Sequence, residues 1–223
     1  ATPHPTNKNK TMNHKPSELA QRINAAGTVL SHMYLAAPTE ELRAALYSKE
    51  MLSDWPLRDA DSKQGVFTLQ KSKPETAEEL KRDHLYLFKG IGKPLAEPHE
   101  SPYLSREGLV FDEQTFQVRE YYRRYGFQAP NFNREPDDHI GLEIAFIANL
   151  ADRYSREVES DEGAAEQTLG DIRTFLDEHL NQFAPDVIER IRKNANTAAY
   201  KALAEFTLGF LSAAEELTEE LTK

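Results

Sequence analysis

The 223-residue chain contains no cysteine, which excludes disulfides, thiolate metal sites and a cysteine nucleophile, and suits a reducing compartment. Long apolar runs are missing too. No stretch approaches the roughly 20 apolar residues of a membrane span, and the opening ATPHPTNKNKTMNHKPSE lacks the apolar centre of a secretory signal. A cytoplasmic protein without stable membrane insertion is the expectation. Basic charge is in short supply: 27 Lys and Arg face 37 Asp and Glu, and the net charge of −10 disfavours nucleic acid as a partner. Several enzyme signatures are also absent. Without a Gly-x-Ser-x-Gly elbow, Ser101 between Glu100 and Pro102 does not read as a hydrolase nucleophile. GIGKPL lacks the third glycine of a phosphate cradle and has proline where amide donors are wanted. None of the seven histidines follows a glutamate by three positions, so the paired Glu-x-x-His of di-iron bundles is missing. His139 and Glu143 form only an i, i+4 pair with no convincing third ligand. The expected cofactor set is empty.

What the sequence does contain is helical periodicity. Leu19, Ile23, Ala26, Leu30 and Met33 recur at spacings of three and four between Ser17 and Ala37. A second helix follows Thr39, and PETAEELKRDHLYLFKG carries a third that stops at Gly90. Residues 57–74 read as polar loop, with GVFTLQ at most an isolated strand. Further helices are expected over 112–125, from Pro136 to about Val158, over 165–180, over 186–194 after a break at Pro185, and from Thr197 to Leu221. The fold class is all-α, a single globular helical domain of about eight or more helices. Residues 1–16 read as a flexible tail, residues 17–223 as the helical domain, and residues 126–135 as a hinge.

Two stretches stand apart from this pattern. In NREPDDHIGLEIAFIANL a cluster of charge precedes a helix that is apolar on more than one side. Pro136 fits the first helical position, which puts Asp137 and Asp138 in the first turn, where they stabilise the helix start by ~0.3–1 kcal/mol each. That cluster also suits a cationic ligand. In EPHESPYL, prolines stiffen a loop that presents His99, Glu100, Ser101 and Tyr103 with little conformational entropy left to lose.

These two stretches, EPDDHIGLEIAFIANL and LYLFKGIGKPLAEPHESPYL, resemble the TorD/DmsD/NarJ family of cytoplasmic chaperones that mature molybdenum-containing redox enzymes. LSHMYLAAP, FLDEHLNQFAPDVIERI and AYKALAEFTLGFL follow the same order, so the resemblance spans residues 17–215. It implies a non-catalytic protein that binds the twin-arginine signal peptide and apo form of a client molybdoenzyme, as a monomer or a domain-swapped dimer. Glu135, Pro136, Asp138 and His139 match the family's binding determinants, as do Pro98, Glu100 and Ser101; Tyr34 and Leu87 match by position. His99 stands where relatives often carry tryptophan. On this reading Asp138, Glu135 and Glu100 accept guanidinium hydrogen bonds at ~1.5–3 kcal/mol each, while Leu87 and Tyr34 line a groove for the signal's leucines and His139 anchors the loop. A helical metal-carboxylate enzyme and a generic helical adaptor, pairing through AAEELTEELTK, are the alternatives.

Overall fold

The computed structural model describes residues 16–129 and 136–219. Residues 1–15 of the expected tail and residues 130–135 of the expected hinge lie outside that range. The described residues form α1 (Pro16–Leu35), α2 (Glu40–Leu46), α3 (Lys49–Ser53), α4 (Ala60–Lys71), α5 (Ala77–His84), α6 (Ser101–Leu104), α7 (Glu113–Arg124), α8 (Ile140–Glu157), α9 (Glu162–Phe175), α10 (Asn181–Asn194) and α11 (Ala198–Thr218). Single π-helical turns, Leu85–Lys89 and Leu176–Leu180, extend α5 and join α9 to α10. Among the described residues there is no β-strand, and the fold class is all-α.

Local chemistry sets the helix starts. Thr39 Oγ1 accepts from Leu42 N at 3.2 Å, and Thr76 forms a capping box with Glu79. Thr197 caps α11 while Asp83, on α5, accepts from Thr197 N at 2.8 Å and Thr197 Oγ1 at 2.6 Å. The start of the last helix is thereby tied to the middle of the chain.

One continuous apolar core runs through the helices. The most extensive pairings are α1 with α8 and α4 with α11, and α1 also packs on α11. Gly27 permits the triple approach of α1, α8 and α11: a Cβ there would lie 2.7 Å from Ala148 Cβ and 2.8 Å from a Phe210 ring carbon. Gly27→Ala is therefore expected to lower stability by about 1–3 kcal/mol, despite alanine's better helix propensity, as measured by the urea midpoint. An unchanged midpoint would show that the helices separate freely.

Three expectations are corrected. Residues 57–74 are not loop, because α4 occupies 60–71. Its buried face is Ser62, Gly65 and Leu69, with Gly65 lacking the side chain that would keep the Phe206 ring of α11 off the backbone, so no apolar stripe announces it. Pro185 does not break the chain; it lies inside α10, downstream of the wide turn at 176–180, where the side chain of Gln182 donates to Asp177 O at 2.7 Å. Pro136 is not the first residue of α8 either. That helix begins four residues later, at Ile140, because the backbone between them pairs with another segment.

Candidate functional site

That other segment is the strap 97–101. Glu100 N donates to Asp138 O at 3.0 Å and Ile140 N donates to Pro98 O at 2.8 Å, making an antiparallel bridge between His99 and His139. Pro98 thus accepts from one of the amides that a helix start leaves without an intrahelical acceptor. His139 satisfies another, with its Nδ1 accepting from Gly141 N at 3.0 Å. Burial, reinforced by nearby positive charge, pushes the His139 imidazole well below the usual histidine value. It is neutral, with its proton on Nε2, and serves as the helix cap. His99 crosses it edge-on at 5.0 Å and pairs with Glu97 at 2.6 Å.

From the opposite side, α7 grips the turn 136–139 with one face. Thr115, Arg119 and Tyr122 lie at spacings of four and three, which stacks them on a helix. Thr115 Oγ1 donates to Asp138 Oδ1 at 3.1 Å. Arg119 Nε and Nη2 donate to the Asp137 carboxylate at 2.8 and 3.3 Å, and Tyr122 OH donates to Asp137 O at 2.9 Å. Asp138 Oδ2 also accepts from Ser101 N at 2.7 Å and Ser101 Oγ at 2.6 Å. Asp137 and Asp138 are thus buried and fully engaged in a clasp that locks strap, turn and α7 together.

Below the clasp lies a second buried polar group. His179, in the wide turn 176–180, places Nδ1 3.1 Å from both carboxylate oxygens of Glu100. Glu143 of α8 is fully buried, and among the described residues no protein N–H donor or hydroxyl reaches either of its oxygens. Burial first, and the adjacent Glu100 second, raise the Glu143 carboxyl well above its ordinary value. Burial beside the Glu100 carboxyl thus favours the neutral form of Glu143. Sequence reasoning considered Glu143 only as a partner for His139 and gave His179 no role. The signal present was one acid in the otherwise apolar IGLEIAFIA.

The expected site residues therefore separate by position. Pro98, His99, Glu100, Ser101, Pro136, Asp138 and His139 come together, whereas Glu135 lies outside the described residues. The direct guanidinium role expected of Asp138 and Glu100 does not match this arrangement, since both carboxylates face inward onto protein donors. Tyr34 and Leu87 do not line a groove. Both are fully buried: Tyr34 OH lies 2.9 Å from Thr207 Oγ1, Tyr34 O is 3.1 Å from His84 Nε2, and Leu87 O accepts from Ala96 N at 2.8 Å. Exposed apolar side chains at this end are instead Leu85, Tyr86, Ile91 and Leu95. Among the described residues, no three His, Cys, Asp or Glu side chains are grouped to hold a metal ion, and no helix is long and apolar enough to cross a membrane.

Residues 34–189, which include the strap, the turn and His179, match the family model described as nitrate reductase delta subunit. The chain belongs to this family. Among curated relatives, chaperone protein TorD of Aliivibrio fischeri is 31% identical over 134 residues, 60% of this chain and 61% of that protein. Chaperone protein TorD of Shewanella sp. strain ANA-3 is 31% identical over 144 residues, 64% of each chain, and that of Vibrio parahaemolyticus is 26% identical over 132 residues, covering 59% and 60%. The chain thus aligns with about three fifths of the length of the curated relatives it matches. The part of this delta-subunit-family chain that lies within the match contains both halves of the clasp.

Proposed function

We propose that the protein is a non-catalytic maturation chaperone that holds the twin-arginine signal peptide and apo form of a molybdenum-containing oxidoreductase in the cytoplasm until the cofactor is inserted. One observation carries this reading: the two stretches that resemble the family's binding segments, 37 residues apart at Ser101 and Asp138, are bonded to each other as one rigid element. A twin-arginine signal pairs two guanidinium groups with a leucine-rich segment, so its receptor needs acceptors beside apolar surface. The outer edge of the strap offers acceptors, with Glu97 and His99 partly exposed, and exposed apolar side chains lie on the segments that flank it on either side in sequence. Asp138, Ser101, Glu100 and His179 act as positioning residues that hold this edge in shape, which a peptide ligand exploits because the receptor has little order left to lose.

Calorimetric titration with a leader peptide tests the proposal. The intact arginine doublet should bind, and its replacement by two lysines should weaken binding about tenfold, because lysine cannot make the bidentate contact. Equal retention of the intact leader and a scrambled control would overturn the reading.

A further inference from the structure

The segment between α6 and α7 exposes apolar side chains that the clasp does not use. Leu109, Val110 and Phe111 are consecutive and 54%, 46% and 41% exposed, with Leu104 at 38% and Phe116 at 55% on either side. Single exposed apolar residues are ordinary on a surface, but five within thirteen positions form a patch of the kind that marks an interaction site. The patch is built. Ser105 Oγ accepts from Leu109 N at 3.1 Å, Ser105 O accepts from Gly108 N, and Asp112 Oδ1 accepts from Glu113 N at 2.8 Å. Between these anchors Phe111 adopts φ +58°, the left-handed region that bulky residues avoid, and it is the only described non-glycine residue to do so. Leu104, Leu109, Val110 and Phe111 line a cleft of about 610 Å³.

We infer that this cleft is a docking site for an apolar peptide segment flanked by basic residues, and that it receives the leucine-rich part of the signal peptide; the inference rests on the leader-binding reading above. Charge complementarity selects this occupant. Glu107, Asp112 and Glu113 rim the cleft against Arg106 alone, so a cation-flanked segment is attracted. A second copy of this chain would bring an identical acidic rim and a net charge of −10 to the contact. The cleft also continues from the clasp. Ser101, the first residue of α6, and Thr115 of α7 both bond Asp138, so the two elements bordering the cleft are fixed to the strap. A peptide held by its basic end at the strap can run its apolar part into the cleft.

The test is a double-mutant cycle by calorimetry on the full chain, crossing the Leu109→Ser, Phe111→Ser double variant with a leader whose leucines are replaced by serine. Because both side chains are exposed, the double variant should keep the circular dichroism spectrum of the wild type. The wild type should lose at least tenfold affinity when the leader's leucines are removed. The double variant should bind the intact leader at least tenfold more weakly and show little further loss with the serine leader. Phe67→Ser, an exposed apolar residue on α4, should bind as the wild type does. If the double variant binds the intact leader as tightly as the wild type, the docking site is wrong while leader binding stands. If the wild type binds no leader, both fall. A concentration-dependent dimer in light scattering that the double variant abolishes would assign the patch to a second copy and overturn the inference.

Discussion

Asp138→Ala is expected to lower the stability of the folded chain by about 3–5 kcal/mol, the range for removing one partner from a buried charged network. The size follows from what is left behind. Ser101 Oγ and Thr115 Oγ1 lie 3.2 Å apart and can bond each other, but Ser101 N loses its acceptor inside the protein. Asp152→Ala makes the comparison. Asp152 pairs with Arg156 at 3.0 Å on the surface of α8, where such pairs contribute about 0–1 kcal/mol. Urea unfolding should show a large drop in midpoint for Asp138→Ala and a small one for Asp152→Ala, with similar slopes. Comparable midpoints for the two variants would mean that Asp138 is not the anchor of the clasp.

The second large effect is on pH dependence. Glu143 titrates in the unfolded chain near the ordinary carboxyl value of 4.5, and in the folded protein well above it. Over the interval between those values the native state binds the extra proton, so stability falls as pH rises. The contribution is complete below 4.5 and is lost as pH climbs through the folded value. The groups facing Glu143 do not reverse this sign: Glu100 on the strap and Asp138 in the turn are acidic and raise it, and Tyr122 of α7 is itself pushed up by burial and by Glu143. His179 faces Glu100 from the wide turn. Glu143→Gln removes the titration and leaves a neutral side chain of the same shape beside Glu100. Relative to that variant the wild type should lose up to about 1.4 kcal/mol per pH unit across the interval. Parallel stability curves between pH 4 and 9 would show that Glu143 is not a buried neutral acid.

The long helices were legible because their apolar residues recur at helical spacing; α1, α8 and α11 each bury a continuous face. α4 was not legible, since Ser62 and Gly65 bury themselves by being small. The start of α8 was misread for a related reason. Pro136 satisfies every local rule for opening a helix, but the strap takes the backbone of Asp138 and Ile140 into a pairing with residues some forty positions away that no local rule contains. The strap and the turn stood out in the sequence through the two stretches that carry the family resemblance, but their pairing did not. Periodicity places Glu143 and His179 on helical segments without saying that both meet Glu100. Tyr34 and Leu87 have the chemistry of groove walls, and only packing shows them fully buried with no surface to offer.

Leader affinity compared between two variants that weaken different parts of the fold tests the central claim most directly: a buried clasp holds the strap in the form that binds. Asp138→Asn disturbs the clasp, and Gly27→Ala disturbs the helix crossing at a distance from it. Calorimetry at a temperature where both are folded should show Asp138→Asn binding the intact leader at least tenfold more weakly than the wild type, with Gly27→Ala unchanged. Equal affinity for the two variants would contradict the claim.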